Sequence, residues 1–507
     1  MGTDSGRPLI LLAIVGSVPK ICVPWGPQKY PGIWVIDSQN RNLVKYPQFR
    51  NGHFRNVRFF KCWQKGNSMK FFDREHEIAE LRRIRDMAVE SSRFTVLTGR
   101  RRVGKTELIA EAFSDRPYIY FYVSRKTLVD LCDDFRMIAE KALGRTIPGG
   151  VRRFSEIFRF IMEESATRPI TLVIDEFQDF TFVDESVFSE MARDWDQLQR
   201  KAKINLVVSG SINRLMTQIL EDREAPLYGR NTGKIKLEPF GIPVLKDVLS
   251  FYNPKWTNED LLALWTFTGG VARYVSILMD AKAYTRKKMI AEIIRENSSF
   301  FEEGKLVLVE EFGKEHGTYF SILSAIANGK TSRDKIEAVT GGAASGFLTR
   351  LEREYEFIAK VQPLFEGSAK KNIHYKIDDN FYRFWFRFIF KYNYLLEVKM
   401  HRELREIVER DYDVFSGIAL EGYFRRKFVG EGRYSRIGGW WDRKGENEID
   451  LVCENEFKQT LDFYEVKRDR ARIDLNDLER KSKAFLDKNP EKRKLRRTLS
   501  GLSLEDM

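Results

Sequence analysis

The string Gly99-Arg100-Arg101-Arg102-Val103-Gly104-Lys105-Thr106 restricts this chain more than any other stretch of its 507 residues. It fits the pattern GxxxxGK[ST] without a mismatch. It directly follows an apolar run, Phe94–Thr98, that reads as a strand, and it precedes a helical stretch opening at Glu107. In that setting the glycines let successive backbone N–H groups curl around one point, and the helix adds the positive end of its dipole. Such a loop is a cradle for phosphates. Lys105 is expected to reach the β- and γ-phosphates of ATP, and the Thr106 hydroxyl to bind Mg²⁺.

A second half of the same site lies further on. The buried-strand pattern Ile170–Ile174 runs into Asp175-Glu176, so two carboxylates arrive at the carboxyl end of a strand, the edge where open α/β sheets bind ligands. Asp175 is expected to hold Mg²⁺ through water and Glu176 to act as general base on the attacking water. A third strand, Ile204–Ser209, ends in Ser209-Gly210-Ser211, where a polar side chain can sense the γ-phosphate or simply make a turn.

Around these motifs, short and nearly all-apolar strands (Phe94–Thr98, Tyr118–Val123, Ile170–Ile174, Ile204–Ser209) alternate with helical stretches. That order predicts a doubly wound, mostly parallel sheet buried on both faces. The predicted organisation is α/β throughout. Residues 69–245 form the P-loop core, 246–300 a helical lid, 301–395 a winged helix-turn-helix, and 396–507 a further α/β domain. Tyr382–Tyr394 is dense in aromatics on all sides of a helix, which predicts burial rather than base stacking. Residues 1–68 hold six of the fifteen prolines and no sustained period. They read as an extension, either poorly ordered or upstream of a start at Met69, where Ile78, Leu81 and Ile84 begin a helical stripe.

The formal charge of +13 favours a polyanion partner such as DNA or RNA, although solubility alone also accounts for it. The four cysteines form no CxxC pair and have no histidine cluster beside them, which argues against zinc and against a disulfide framework. The longest apolar run, Leu9–Val18, is too short to span a bilayer and has no convincing cleavage site after it. No membrane association and a cytoplasmic location are expected.

Taken in order, Phe72-Asp73-Arg74-Glu75, Gly99–Thr106, Val173–Gln178, Ser209-Gly210-Ser211, Leu227-Tyr228-Gly229-Arg230 and Gly269-Gly270-Val271 resemble the archaeal-type P-loop ATPases, relatives of the AAA+ and STAND proteins. The resemblance covers Met69–Met507. It implies that Arg74 lies near the adenine end of the ATP pocket and that Arg230 is a charge sensor or finger for the γ-phosphate, a salt-bridging arginine being the equal alternative. Ala272 stands where such proteins often carry proline, with Arg273 following as a candidate lid arginine.

Relatives with this C-terminal segment imply a PD-(D/E)xK restriction-endonuclease-like fold. The residues support a reading of their own. Glu448-Ile449-Asp450-Leu451-Val452 and Tyr464-Glu465-Val466-Lys467 each alternate, so Asp450 shares a strand face with Glu448, and Glu465 with Lys467. An adjacent strand pair gathers Asp450, Glu465 and Lys467, two carboxylates for Mg²⁺ and a lysine to orient water. The resemblance adds Glu421 on a preceding helix as a further metal ligand. In a chain nearly one-third charged such strings also arise by accident, and cleavage stays open.

Two functions follow from the sequence. One is an ATPase that couples nucleotide state to a nuclease-like domain acting on or docking to nucleic acid. The other is a STAND-like signalling or assembly switch without nuclease activity, working through a homo-oligomer or a protein partner of the winged helix. For the organisation, a fragment starting at Met69 is expected to bind ATP and melt like the full chain. Differential scanning calorimetry checks this, and a large fall in melting temperature would make residues 1–68 structural.

Overall fold

The computed structural model describes residues 34–36, 43–45, 69–147, 150–211, 213–365, 372–443 and 445–507. The chain divides into two compact units, Met1–Trp63 and Gln64–Met507. In the first, Trp34–Ile36 pairs antiparallel with Leu43–Lys45. The expectation for residues 1–68 otherwise falls outside the described residues.

The second unit opens with helix α1 (Glu75–Met87), whose Leu81 and Ile84 are buried as their spacing predicts. Strand β1 (Arg93–Gly99) and helix α2 (Lys105–Ala112) flank the glycine-rich loop. Then come β2 (Ile119–Tyr122), α3 (Leu128–Leu143), α4 (Phe154–Ser165), β3 (Ile170–Asp175), α5 (Ser186–Leu198), β4 (Ile204–Gly210), α6 (Asn213–Leu220) and β5 (Gly233–Leu237). The strands form one sheet in the order β2-β3-β4-β1-β5, every pair parallel. Side chains alternate between two cores. Phe94, Val96, Leu172, Ile174, Leu206 and Val208 pack with α3, α4 and α5, whereas Leu97, Val173 and Val207 pack with α1 and α2. A strand covered on both faces has no use for polar alternation, which is why these read as continuous apolar runs. β5 escaped the sequence reading because it is an edge strand and alternates, Gly-Lys-Ile-Lys-Leu.

Four helices follow, α7 (Ile242–Tyr252), α8 (Asn258–Thr268), α9 (Ala272–Asp280) and α10 (Arg286–Ile293), in the span expected to be helical. Thr257 and Asp260 make a reciprocal capping box at the start of α8. Next come α11 (Ser299–Phe312), α12 (His316–Ala327), α13 (Arg333–Thr340) and α14 (Ser345–Arg353), and then an antiparallel pair, β6 (Ile358–Val361) and β7 (His374–Ile377). The aromatic segment forms α15 (Asn380–Phe384) and runs on as a π-helical turn, Trp385–Phe390. Phe381, Phe384, Phe386 and Phe388 are all buried, as expected.

The last part is the long helix α16 (His401–Gly430), then β8 (Arg436–Trp441), β9 (Glu448–Asn455), β10 (Thr460–Val466), α17 (Leu475–Lys488) and β11 (Arg496–Leu502). These strands form a sheet in chain order, antiparallel except for the parallel β10–β11 pair. Leu420 and Tyr423 of α16 share a core with Leu451 and Tyr464, while Leu478 and Phe485 of α17 share another with Val452 and Phe463. The charged stretch Arg468–Arg497 therefore folds into an amphipathic helix that begins to lead into an edge strand. Among the described residues no helix is long and apolar enough to cross a membrane.

Gly270 joins α8 to α9 at a φ of +79°, its carbonyl accepting from the Phe240 N–H at 2.8 Å. A Cβ there would stand 2.2 Å from the Phe240 carbonyl oxygen. Gly270→Ala is expected to cost roughly 1–3 kcal/mol through strain and displaced backbone. Gly417→Ala, on open helix surface with nothing within 4 Å of the new Cβ, should instead add about 0.5–1 kcal/mol. Urea unfolding of both variants checks the contrast.

Candidate functional site

The parallel sheet delivers the glycine-rich loop and the Asp175-Glu176 pair to the same edge, because β1 and β3 run in the same direction with only β4 between them. Gly104, at a φ of 101°, is the residue from which α2 springs. Val103 is 1% exposed, so the loop is pinned to the core by its one apolar side chain. Lys105 is buried, and its Nζ donates to the carbonyls of Gly99 at 2.9 Å and Arg100 at 3.2 Å. Burial pushes its pKa down, while Glu176, Asp175 and Glu311 work in the opposite direction.

Asp175 collects the site. Thr106 Oγ1 donates to its Oδ2 at 2.9 Å, Tyr120 Oη to the same oxygen at 2.7 Å, and the Glu176 N–H to its Oδ1 at 3.0 Å. Burial first, then the Asp175 charge, holds the Tyr120 hydroxyl far above its ordinary pKa, so it remains a donor. Glu176 adopts a left-handed backbone, φ 52° and ψ 42°, and turns off the strand. Its Oε2 accepts from Gln178 Nε2 at 2.6 Å and from Ser211 Oγ at 2.8 Å. Of the Ser209-Gly210-Ser211 turn it is therefore Ser211 that reaches the acid; Ser209 is wholly buried in β4.

Each loop arginine is taken up by an acid from an element outside the sheet. Arg100 pairs with Asp379, Arg101 with Glu310, and Arg102 with Glu303, whose Oε2 lies 3.3 Å from Arg102 Nη2. Arg100 also lies over the rings of Phe357 and Tyr382, at 5.7 and 5.1 Å. Burial pushes the neighbouring Glu311 up to about 7, against the pull of Arg100, Arg101 and Lys105. At the start of α9 the Arg273 N–H donates to the Arg102 carbonyl at 3.2 Å, and its side chain is exposed.

Two arginines expected at the nucleotide are otherwise engaged. Arg74 is 6% exposed, with its guanidinium on the Glu238 carbonyl at 2.7 Å, on Glu77 at 3.3 Å and over the Phe240 ring. Arg230 makes a two-pronged ion pair with Asp196, at 2.6 and 3.0 Å, the salt-bridging alternative of the two weighed for it. Tyr120, Gln178, Glu303, Glu310, Glu311 and Asp379 were not among the residues expected at the site. Gln178 stands two places after Glu176 in the recognised motif, but no spacing connects the four acids to a loop some two hundred residues or more away.

In the C-terminal sheet Asp450, Glu465 and Lys467 do come together. Lys467 Nζ lies 3.3 Å from Asp450 Oδ2 and 2.6 Å from Glu465 Oε1, so those two oxygens are less than about 6 Å apart. The Val466 N–H donates to Asp450 Oδ2 at 2.7 Å. A second lysine, Lys481 of α17, stands 3.5 Å from Glu465 Oε2, an oxygen that accepts no hydrogen bond. Burial, then the charges of Asp450 and Glu448, pushes Glu421 up to about 8, and burial raises Asp450 and Glu448 as well. Burial also works against the Lys467 charge, but Glu465 and Asp450 outweigh it and raise its pKa. The expected ligand set Glu421, Asp450 and Glu465 does not form a ready ion cage. Among the described residues no three His, Cys, Asp or Glu side chains are arranged to hold a metal, and here the lysine lies between the carboxylates.

Comparison with known proteins places an ATPase domain over the part of the chain that carries the first site. A family described as an ATPase domain predominantly from Archaea matches residues 71–278, and one described as archaeal and bacterial proteins of unknown function matches 385–481. An uncharacterized protein of Methanocaldococcus jannaschii is 30% identical over 429 residues, covering 82% of this chain and 92% of its own length. Among solved structures, a Walker-type ATPase of Pyrococcus abyssi is 20% identical with a TM-score of 0.48, over 62% of this chain and 96% of that one. The ORC2 protein of Aeropyrum pernix, in ADPNP–ADP complexes, is 14% identical with a TM-score of 0.43, over 68% and 98%. The chain belongs to the family of ATPases found predominantly in Archaea, and it is an ATP-hydrolysing enzyme.

Proposed function

We propose that ATP binds along Gly99–Thr106, with Lys105 exchanging the Gly99 and Arg100 carbonyls for the β- and γ-phosphates. Thr106 and Asp175, whose oxygens already share a hydrogen bond, would hold Mg²⁺, which neutralises charge on the phosphates. Glu176 is the general base. Both of its side-chain hydrogen bonds fall on Oε2, which leaves Oε1 to take a proton from water. Arg230 serves as a phosphate sensor only by giving up Asp196.

The wider reading is that nucleotide state is coupled to a PD-(D/E)xK-like C-terminal domain that acts on or docks to nucleic acid in a cytoplasmic setting. The observation that carries it is the Lys467 ammonium shared by Asp450 and Glu465 at one end of β9 and β10. Four acids, Glu421, Glu448, Asp450 and Glu465, gather there against two lysines, Lys467 and Lys481, and Glu421, Glu448 and Asp450 are all raised, which fits a cluster short of positive charge, as a Mg²⁺ site would be. On this reading Glu421, Asp450 and Glu465 would hold such an ion only after it displaced the Lys467 ammonium from between the carboxylates, and the displaced Lys467 would orient water. Residues 301–395, helices followed by a two-stranded wing, read as a winged helix between the two sites. On α14 Arg350 is held by Glu315 at 2.7 Å and packs on Phe347, which favours protein packing for that residue, while Arg333, Lys335 and Arg353 are exposed. The second reading, a signalling or assembly switch in which the C-terminal fold only docks, is favoured by the lysine lying where an ion would go.

Two experiments separate these. Lys105→Ala is expected to abolish ATP binding, and Glu176→Gln to keep ATP while hydrolysing it about 10²–10⁴-fold more slowly. Phosphate-release kinetics with nucleotide-binding titrations check both, and equal turnover in Glu176→Gln would remove Glu176 from the role of base. Incubation with Mg²⁺ or Mn²⁺, with and without ATP, on linear, circular and single-stranded DNA and on RNA tests the second site. Wild type should cut at least one substrate, and Asp450→Asn and Lys467→Ala should not, with ATP hydrolysis largely intact. Wild type cutting none of them would assign the cluster to docking.

A further inference from the structure

Three consecutive arginines in a phosphate-binding loop are more cation than the loop needs, and all three are neutralised from outside the sheet. Glu303 and Glu310 lie seven residues apart on α11, two helical turns, and so form one acidic edge that meets Arg102 and Arg101. Asp379, the residue that caps α15 by accepting from the Tyr382 N–H at 2.8 Å, meets Arg100. Glu311, beside Glu310, faces Lys105 itself. With its three arginines so engaged, the loop stands against carboxylates that a triphosphate, carrying several negative charges, would face directly.

α11 is also anchored at its other face. Trp385 Nε1 donates to the Phe301 carbonyl at 3.1 Å, and a Cβ on Gly304 would stand 2.5 Å from the Trp385 ring. α11 is therefore in contact with the aromatic segment Asn380–Phe390, whose Phe384 and Phe388 pack on Phe415 of α16, the helix that carries Glu421. One contiguous set of contacts runs from the loop to the C-terminal sheet.

We propose that α11, with Asp379, is an intramolecular anionic lock on the ATP site: Glu303, Glu310 and Asp379 hold the loop arginines in the resting enzyme, and triphosphate binding and release of α11 drive each other. The lock rests on the reading that Gly99–Thr106 holds the triphosphate. Its arginines are each about a third or more exposed, and so is Glu310, which makes the Arg101–Glu310 pair weak; Asp379 and Glu303 are largely buried, and their arginines leave them only where a triphosphate supplies replacement charge. Reciprocity is required: whatever tightens ATP loosens α11, and whatever loosens α11 tightens ATP by the same factor.

The test uses the full chain with ADPNP. Hydrogen exchange of residues 299–312 in wild type is expected to speed up when ADPNP is added, and the Glu303→Gln/Glu310→Gln variant is expected to bind ADPNP about 5–20-fold more tightly than wild type. Lys105→Ala, which removes the triphosphate's main partner, should show neither binding nor faster exchange. If wild type binds ADPNP while exchange over 299–312 stays unchanged or slows, the lock is overturned. Unchanged or weaker binding by the double variant overturns it too, and the wild-type exchange measurement stands even if that variant folds poorly. If wild type binds no ADPNP, the reading of the loop has failed instead, and the lock falls with it.

Discussion

The Asp175 carboxylate is where separate stretches of chain are held in register. A hydroxyl from α2, a hydroxyl from β2 and the backbone of the following residue all donate to it, so the phosphate loop, the neighbouring strand and the Glu176 turn share one anchor. Charge-assisted hydrogen bonds to a buried carboxylate are stronger than neutral ones, and leaving such a group unpaired is costly. The parallel sheet makes this possible by bringing the carboxyl ends of β1, β3 and β4 to one edge. Everything proposed for catalysis, from the reach of Lys105 to the placing of Glu176 by Gln178 and Ser211, depends on that edge staying aligned.

Around it the molecule sets acids against bases at two places. At the loop, partly exposed arginines meet acids from α11 and α15, and a triphosphate would offer those arginines replacement charge. At the C-terminal sheet, Asp450 and Glu465 are likewise largely buried, and Lys467 between them is the nearest compensation for their charge. The aromatic segment following β7 lies between the two regions. Its rings pack on α11 from one side and on α16 from the other, which makes it a mechanical neighbour of both sites.

Much of this was legible in the residues because it is local. A glycine pattern between an apolar run and a helix start predicts a phosphate loop, and four of the five core strands were readable from buried periodicity. The pairing of Asp450 with Glu465 and Lys467 also followed from alternation along two strands joined by a short turn. Where the reading fell short, the cause was non-local. β5 lies on the sheet edge and alternates, so it lacks the apolar signature of its neighbours. Arg74 carries a motif signal, yet Glu238 and Phe240, distant in sequence, take up its guanidinium. A charged run that resembled a solvated face became α17 and part of β11, since one apolar stripe, Leu478 to Phe485, is enough to seat a helix.

By itself, then, the sequence determined the parts proposed for the nucleotide site: its loop, its lysine, its threonine and the two acids at the end of a later strand, because those positions obey short-range rules of turn geometry and strand alternation. Only the tertiary structure decided which groups face them. Arg100, Arg101 and Arg102 read as loop cations, and their partners Asp379, Glu310 and Glu303 lie some two hundred residues or more further along, on elements whose approach to the loop depends on how the lid and the aromatic core pack. Ion pairs leave no periodic trace in a chain nearly one-third charged, so packing, not spacing, selects them.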